Sequence, residues 1–150
     1  MSLPTLLTIG YEGCTFQDVL ATLQLARVGL LIDVRAVPLS RKPGFSKRQL
    51  AAGFDEGGIP YVHLQGLGTP KPGRDAARAG HPERMRAIFE EHMTSERAQA
   101  DLVRAIGLAR ETRACLLCFE RDPACCHRRI VAEMISREAG QTVEDLFAGR

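Results

Sequence analysis

The feature that most constrains this chain is its alternation of short apolar runs with apolar residues at helical spacing. Leu6–Ile9, Leu30–Val34, Ile59–Leu64 and Ala114–Phe119 are mainly apolar runs of strand length, the kind that lie buried in a sheet covered on both faces. Phe16, Val19, Leu20, Leu23 and Ala26 follow the first run at helical spacing, and Leu50 and Phe54 follow the second. After the third come Met85, Ile88, Phe89, His92 and Met93, then Ala98, Leu102, Ala105, Ile106 and Ala109. Ile130, Val131, Met134 and Ile135 mark a last helix, and Thr142–Phe147 a short final strand. Thr15, Ser46 and Ser95 stand at N-cap positions, and Gly57-Gly58 ends the second helix. Pro60 shortens the third strand at its start.

Strands separated by helices imply right-handed β-α-β connections. The expected fold is therefore α/β: three layers, α/β/α, with a mainly parallel sheet of four to five strands. No repeat or linker interrupts residues 1–150, which form one expected domain. Gly66–Pro82, with four glycines and three prolines, is expected to be a long loop, mobile or able to close as a lid.

Composition excludes several classes. Apolar residues make up 45% of the chain and charged residues 25%, an ordinary globular balance that rules out a disordered or fibrous protein. The start lacks a secretory pattern and no apolar run is long enough to span a bilayer, so a soluble cytoplasmic protein without membrane partners is expected. An odd count of five cysteines, two of them adjacent, fits reduced thiols better than a disulfide framework. A net charge of +2 leaves nucleic-acid binding to local clusters.

Parallel sheets place their ligands beyond the carboxyl ends of the strands. After the first strand stand Tyr11 and Glu12 between glycines, either a tight turn or a loop over a bound group. After the second come Asp33, expected to pair with an arginine or an amide, then Arg35, Ser40, Arg41, Lys42, Lys47 and Arg48. These basic residues either grip phosphate, with Arg41 as a bidentate fork, or coat a surface. His63, Lys71 and Arg74 form a softer cluster. The densest constellation is Cys118-Phe119-Glu120, then Cys125-Cys126-His127-Arg128, running from a strand through a loop into a helix. There Cys126, near a helix N-terminus and beside His127, has the setting of a thiolate nucleophile. Glu120 would serve as acid or base, and Arg128 would hold an anion. The alternative is structural, with Glu120 paired to an arginine and cysteines filling core. Structural zinc is not expected, since Cys115 and Cys118 fall on opposite strand faces and adjacent Cys125 and Cys126 suit one ion poorly; no metal ligand is assigned, and metal dependence is open.

Together, Thr8-Ile9-Gly10-Tyr11-Glu12-Gly13, Asp33-Val34-Arg35 with Pro38 and Ser40-Arg41, and Cys118-x-Glu120 with Cys126-His127-Arg128 resemble domain-of-unknown-function family 488 from Thr8 to about Ala132. The resemblance implies a small prokaryotic, bacterial-type α/β protein and no settled activity. Leu31-Ile32-Asp33-Val34-Arg35 also resembles a strand of rhodanese-type sulfur transferases, whose reactive cysteine would correspond to Cys118. The loop lacks their compact anion cradle, since Arg128 lies ten residues beyond Cys118.

The leading expectation is an anion-directed enzyme, hydrolase or transferase, acting on a phosphate-bearing substrate such as a nucleotide or nucleic acid. Its ligand would be held by Tyr11, Glu12, Arg35, Ser40, Arg41 and Arg128, with catalysis by Glu120, Cys126 and His127. The alternatives are a non-catalytic nucleic-acid-binding module using Arg41–Arg48, and sulfur transfer through Cys118. Substrate, cofactor and oligomeric state are open at this stage.

Overall fold

In a computed structural model that describes residues 3–149, five parallel strands form one sheet. They are β1 (Leu6–Gly10), β2 (Leu30–Asp33), β3 (Tyr61–His63), β4 (Ala114–Cys118) and β5 (Val143–Leu146), in the order β3-β2-β4-β1-β5. Six helices connect them: α1 (Phe16–Leu25), α2 (Lys47–Glu56), α3 (Lys71–Arg78), α4 (Pro82–His92), α5 (Glu96–Glu111) and α6 (His127–Ala139). The α/β architecture with a parallel sheet is as expected. No helix among the described residues is long and apolar enough to cross a membrane.

The topology explains which helix covers which face. From β1 the chain moves outward to β2 and β3 through α1 and α2, then reverses through α3–α6 to reach β4 and β5. Connections of one hand must change face when they change direction along the sheet. Accordingly Val19 and Leu23 of α1 and Leu50 and Phe54 of α2 pack on one face with Leu7, Ile9, Leu31 and Leu117. Phe89 of α4, Ala105 of α5 and Ile130, Val131 and Ile135 of α6 pack on the other with Leu6, Ile32 and Leu116. Cys115 belongs to the first core and Cys118 to the second, the opposition expected from strand alternation.

Local chemistry fixes the helix starts. Thr15 caps α1 in a reciprocal box with Asp18, and Ser95 accepts from the Ala98 amide at the start of α5. Ser46 precedes α2 but makes no capping bond; its hydroxyl donates to the Ser40 carbonyl and accepts from the Ser40 amide, tying down the loop after β2.

One expectation is overturned. Gly66–Pro82 is not a long loop: Gln65–Leu67 is a short 3-10 turn and Lys71–Arg78 is helix α3. Pro70 stands at its N-cap and Pro72 in its first turn, where a proline loses no helical hydrogen bond and its fixed φ suits the helix. Gly73 is there because a Cβ would run into the Thr69 hydroxyl. The residues that suggested a loop are those that start this helix.

Candidate active site

Because β4 is inserted between β1 and β2, the carboxyl ends of those three strands are neighbours. Beyond them opens a cavity of ≈ 420 Å³. Its floor carries Tyr11 from the end of β1, Arg35 from the end of β2, and Cys118, Glu120 and His127 from β4 and the start of α6. Ser40 and Leu39 form one side. Lys71, Arg74 and Arg78 of α3, with Thr69 just before that helix, complete the lining. Three stretches distant in sequence thus meet at one cavity.

The strand-end residues do not all serve it equally. Arg35 is 5% exposed, and its guanidinium is taken up by protein. Nε donates to Asp33 Oδ1 at 2.9 Å, Nη2 to Asp33 Oδ2 at 2.8 Å, and Nη1 to the Phe45 carbonyl at 2.6 Å and the Tyr11 hydroxyl at 3.1 Å. Tyr61 completes the Asp33 shell at 2.6 Å. Burial works against the charge of Arg35, but the Asp33 carboxylate outweighs it and the guanidinium is held protonated. Asp33 is therefore the arginine partner expected for it. Tyr11 stacks on Phe45 with ring centroids 4.3 Å apart, and its hydroxyl pKa is raised, chiefly by burial.

Arg128 does not reach the cavity. It is fully buried, donating from Nε to Thr8 Oγ1 at 3.2 Å, from Nη1 to the Glu120 carbonyl and from Nη2 to the Arg121 carbonyl at 3.2 Å. It clamps the β4–α6 loop onto β1. Gly10 lies directly beneath that clamp, where a Cβ would overlap the Glu120 carbonyl. Glu12 is exposed and accepts from the Arg121 amide at 3.1 Å, so it braces the same loop from outside. Arg41 is exposed and absent from the cavity lining, as are Lys47 and Arg48.

At the floor, Cys118, Cys126 and His127 converge, all buried. His127 Nδ1 lies 3.7 Å from Cys118 Sγ and 3.9 Å from Cys126 Sγ, and Glu120 Oε2 lies 3.6 Å from Cys118 Sγ. His127 Nε2 is 2.7 Å from the Val34 carbonyl, which can only accept, so Nε2 carries a proton and donates. The adjacent cysteines that argued against a shared site part company in space. Cys125 is exposed, 3.8 Å from Asp122 Oδ2, while Cys126, at the N-cap of α6, turns inward. Cys126 does not line the cavity; Cys118 and the exposed Cys125 do.

Electrostatics in this cluster are uneven. For Cys126, burial acts to raise the pKa, but hydrogen bonding with Cys118 and the charge of His127 outweigh it and hold the thiol below its ordinary range. Cys118 is pushed up by that same hydrogen bond and by burial. His127 is raised: burial opposes its charge, and the Cys126 thiolate beside it prevails. Burial first, then the charge of Cys126, pushes Glu120 up to about 7.

The α3 wall was the part least visible in sequence. Lys71 pairs with Asp75 at 3.0 Å and Arg74 donates to the Thr69 carbonyl at 2.9 Å, while Arg78 makes no ion pair among the described residues. Thr69 is 3% exposed, and its hydroxyl has no hydrogen-bond partner in the protein. A buried, unpaired hydroxyl lining a cavity is costly unless something else bonds it.

The family model described as "Domain of unknown function DUF488" matches residues 15–135. No curated protein and no solved structure matches the chain.

Proposed function

The chain belongs to the DUF488 family of domains of unknown function, and from its own residues we propose that it is an enzyme acting on a small phosphate-bearing substrate of up to nucleotide size. The anion docks at the start of α3, where Lys71, Arg74 and Arg78 supply positive charge. The helix N-terminus adds the positive end of the dipole, with the Lys71 and Gly73 amides as donors between and after Pro70 and Pro72. The reacting part of the substrate lies across the cavity against Cys118, Glu120 and His127, where Glu120 moves the proton. The observation that carries this reading is that α3 cations line the same cavity as a thiol, an imidazole and a carboxylate. Its ≈ 420 Å³ suits a small ligand and is too confined for a duplex.

This reading moves anion binding from Arg35, Arg41 and Arg128 to α3. Arg35 has most of its donors taken by Asp33, Tyr11 and the Phe45 carbonyl, and Arg128 is fully buried, bonded to Thr8 and to the Glu120 and Arg121 carbonyls. They become positioning residues, for Tyr11 and for the Glu120 loop. Cys126 moves from nucleophile to support behind Cys118.

The test is calorimetric titration with inorganic phosphate and a nucleoside monophosphate, followed by a turnover screen on phosphorylated metabolites. Arg78→Glu should weaken phosphate binding about tenfold, equivalent to about 1.4 kcal/mol, and Glu120→Gln should abolish turnover while leaving binding intact. Binding that ignores Arg78, or turnover that survives Glu120→Gln, would refute the proposal. Sulfur transfer through Cys118 has one observation in its favour, that this thiol lines the cavity. It predicts a persulfide on Cys118 after exposure to a sulfur donor, detectable by mass. The accessory nucleic-acid reading relies on the exposed Arg41, Lys47 and Arg48, and predicts about one unit of log–log salt slope per phosphate contact.

A further inference from the structure

We propose that Cys118, Cys126 and His127 bind a divalent transition metal of the zinc class, with the fourth coordination position open to the cavity and flanked by Glu120. This inference rests on the reading of that cavity as an active site, and names the ion its floor would hold.

Geometry carries the argument. A tetrahedral zinc with Zn–S near 2.3 Å and Zn–N near 2.05 Å sets sulfur and nitrogen ligands about 3.6 Å apart and two sulfurs about 3.8 Å apart. The two sulfur-to-Nδ1 separations are 3.7 and 3.9 Å, and all three ligand atoms lie within 4.8 Å of one another. The sulfur–nitrogen separations need shifts of only a few tenths of an ångström, and the two sulfurs, within 4.8 Å of each other, need to close by up to about 1 Å. The second shell is already set. With the Nε2 proton donated to the Val34 carbonyl at 2.7 Å, the Nδ1 lone pair faces both sulfurs, the tautomer and orientation a metal requires.

Charge and softness point the same way. Two thiolates and an imidazole suit zinc, cobalt or ferrous iron rather than magnesium or calcium. The two thiolates balance the two charges of the ion, and the buried Arg128 guanidinium lies close by. On binding, the Cys118 thiol proton and the one proton held by the Cys126–His127 pair leave to solvent, and no electron is transferred. Three protein ligands rather than four is the pattern of zinc sites that keep a position for water or substrate. Glu120 Oε2, 3.6 Å from Cys118 Sγ, stands where it can take a proton from a molecule bound there.

The test uses the full chain, stripped with a chelator and titrated with Co²⁺, reading thiolate-to-cobalt charge transfer and tetrahedral d–d bands. Zn²⁺ content after reloading and dialysis gives a second measure. The expected result is one ion per chain, charge-transfer intensity roughly halved in Cys118→Ser and in Cys126→Ser, and an unchanged spectrum in Cys14→Ser and Cys125→Ser. Alkylation followed by mass spectrometry needs no variant and guards against misfolding: metal should protect Cys118 and Cys126 and leave Cys125 reactive. Failure to retain Co²⁺ or Zn²⁺ near stoichiometry, or full charge transfer in Cys126→Ser, overturns the metal site. Should the metal fail while phosphate still binds through Arg78 and turnover still needs Glu120, the enzyme stands without it. Should the metal bind while phosphate does not, the anion-directed reading falls and the metal centre remains.

Discussion

Replacing Asp33 with alanine separates a structural Arg35 from a ligand-binding one. The substitution removes three bonds to Arg35, from Nε, Nη2 and its own amide, and leaves Tyr61 without its 2.6 Å acceptor. The guanidinium, 5% exposed, then retains only Tyr11 and the Phe45 carbonyl. Breaking one side of a buried ion pair costs about 3–5 kcal/mol, because the surviving charge is left desolvated. A domain of this size has roughly 5–15 kcal/mol of stability in total. With a urea slope of about 2 kcal/mol/M, the unfolding midpoint should fall by about 2 M. Removing both charges in Asp33→Ala/Arg35→Met should cost much less than the two single substitutions added together, a coupling of at least about 2 kcal/mol. A cost below about 1 kcal/mol for Asp33→Ala, or additive costs, would mean that Arg35 is not held by Asp33 and is available to the cavity.

Three further expectations concern the loop that carries the site. Gly10→Ala places a Cβ against the Glu120 carbonyl and 2.9 Å from Arg128 Nη1, and because backbone cannot yield as a side chain can, it should cost about 3 kcal/mol; a urea midpoint within error of wild type would show that the clamp is loose. Iodoacetamide should modify exposed Cys125 first, with Cys115, fully buried in the core, reacting only on unfolding; peptide mass mapping reads the order, and early labelling of Cys115 contradicts the packing. In protein freed of metal, Glu120 is raised from 4.5 to about 7, so the folded state binds its proton more tightly than the unfolded. That contribution is fully present below pH 4.5 and is lost as pH rises through 7. Denaturation across this window should therefore show wild type losing stability relative to Glu120→Gln, and a flat or opposite difference refutes the burial of that carboxyl.

Strand runs and helical periods were legible because they are local: Thr15 with Asp18, Ser95 with Ala98, and the alternation of Cys115 and Cys118 lie within a few residues of each other. The strand-end rule was enough to find Tyr11, Arg35, Ser40, Glu120 and His127 at one cavity. What local pattern could not show was the direction of each charge. Arg35 and Arg128 look like anion ligands as letters, yet Asp33 and the Glu120 and Arg121 carbonyls consume their donors, and those partners are set by how β1, β2 and β4 lie side by side. Glycine and proline at 66–82 hid α3, although Pro70 and Pro72 before a charged octet carry a readable helix-start signal. Adjacent Cys125 and Cys126 say nothing as letters of which way each thiol turns: the turn at Pro123–Cys125 sends one to solvent and the other to His127. The same turn sets what the cavity floor brings together: with Cys126 facing inward, its sulfur, the Cys118 sulfur and a His127 ring nitrogen lie within 4.8 Å of one another.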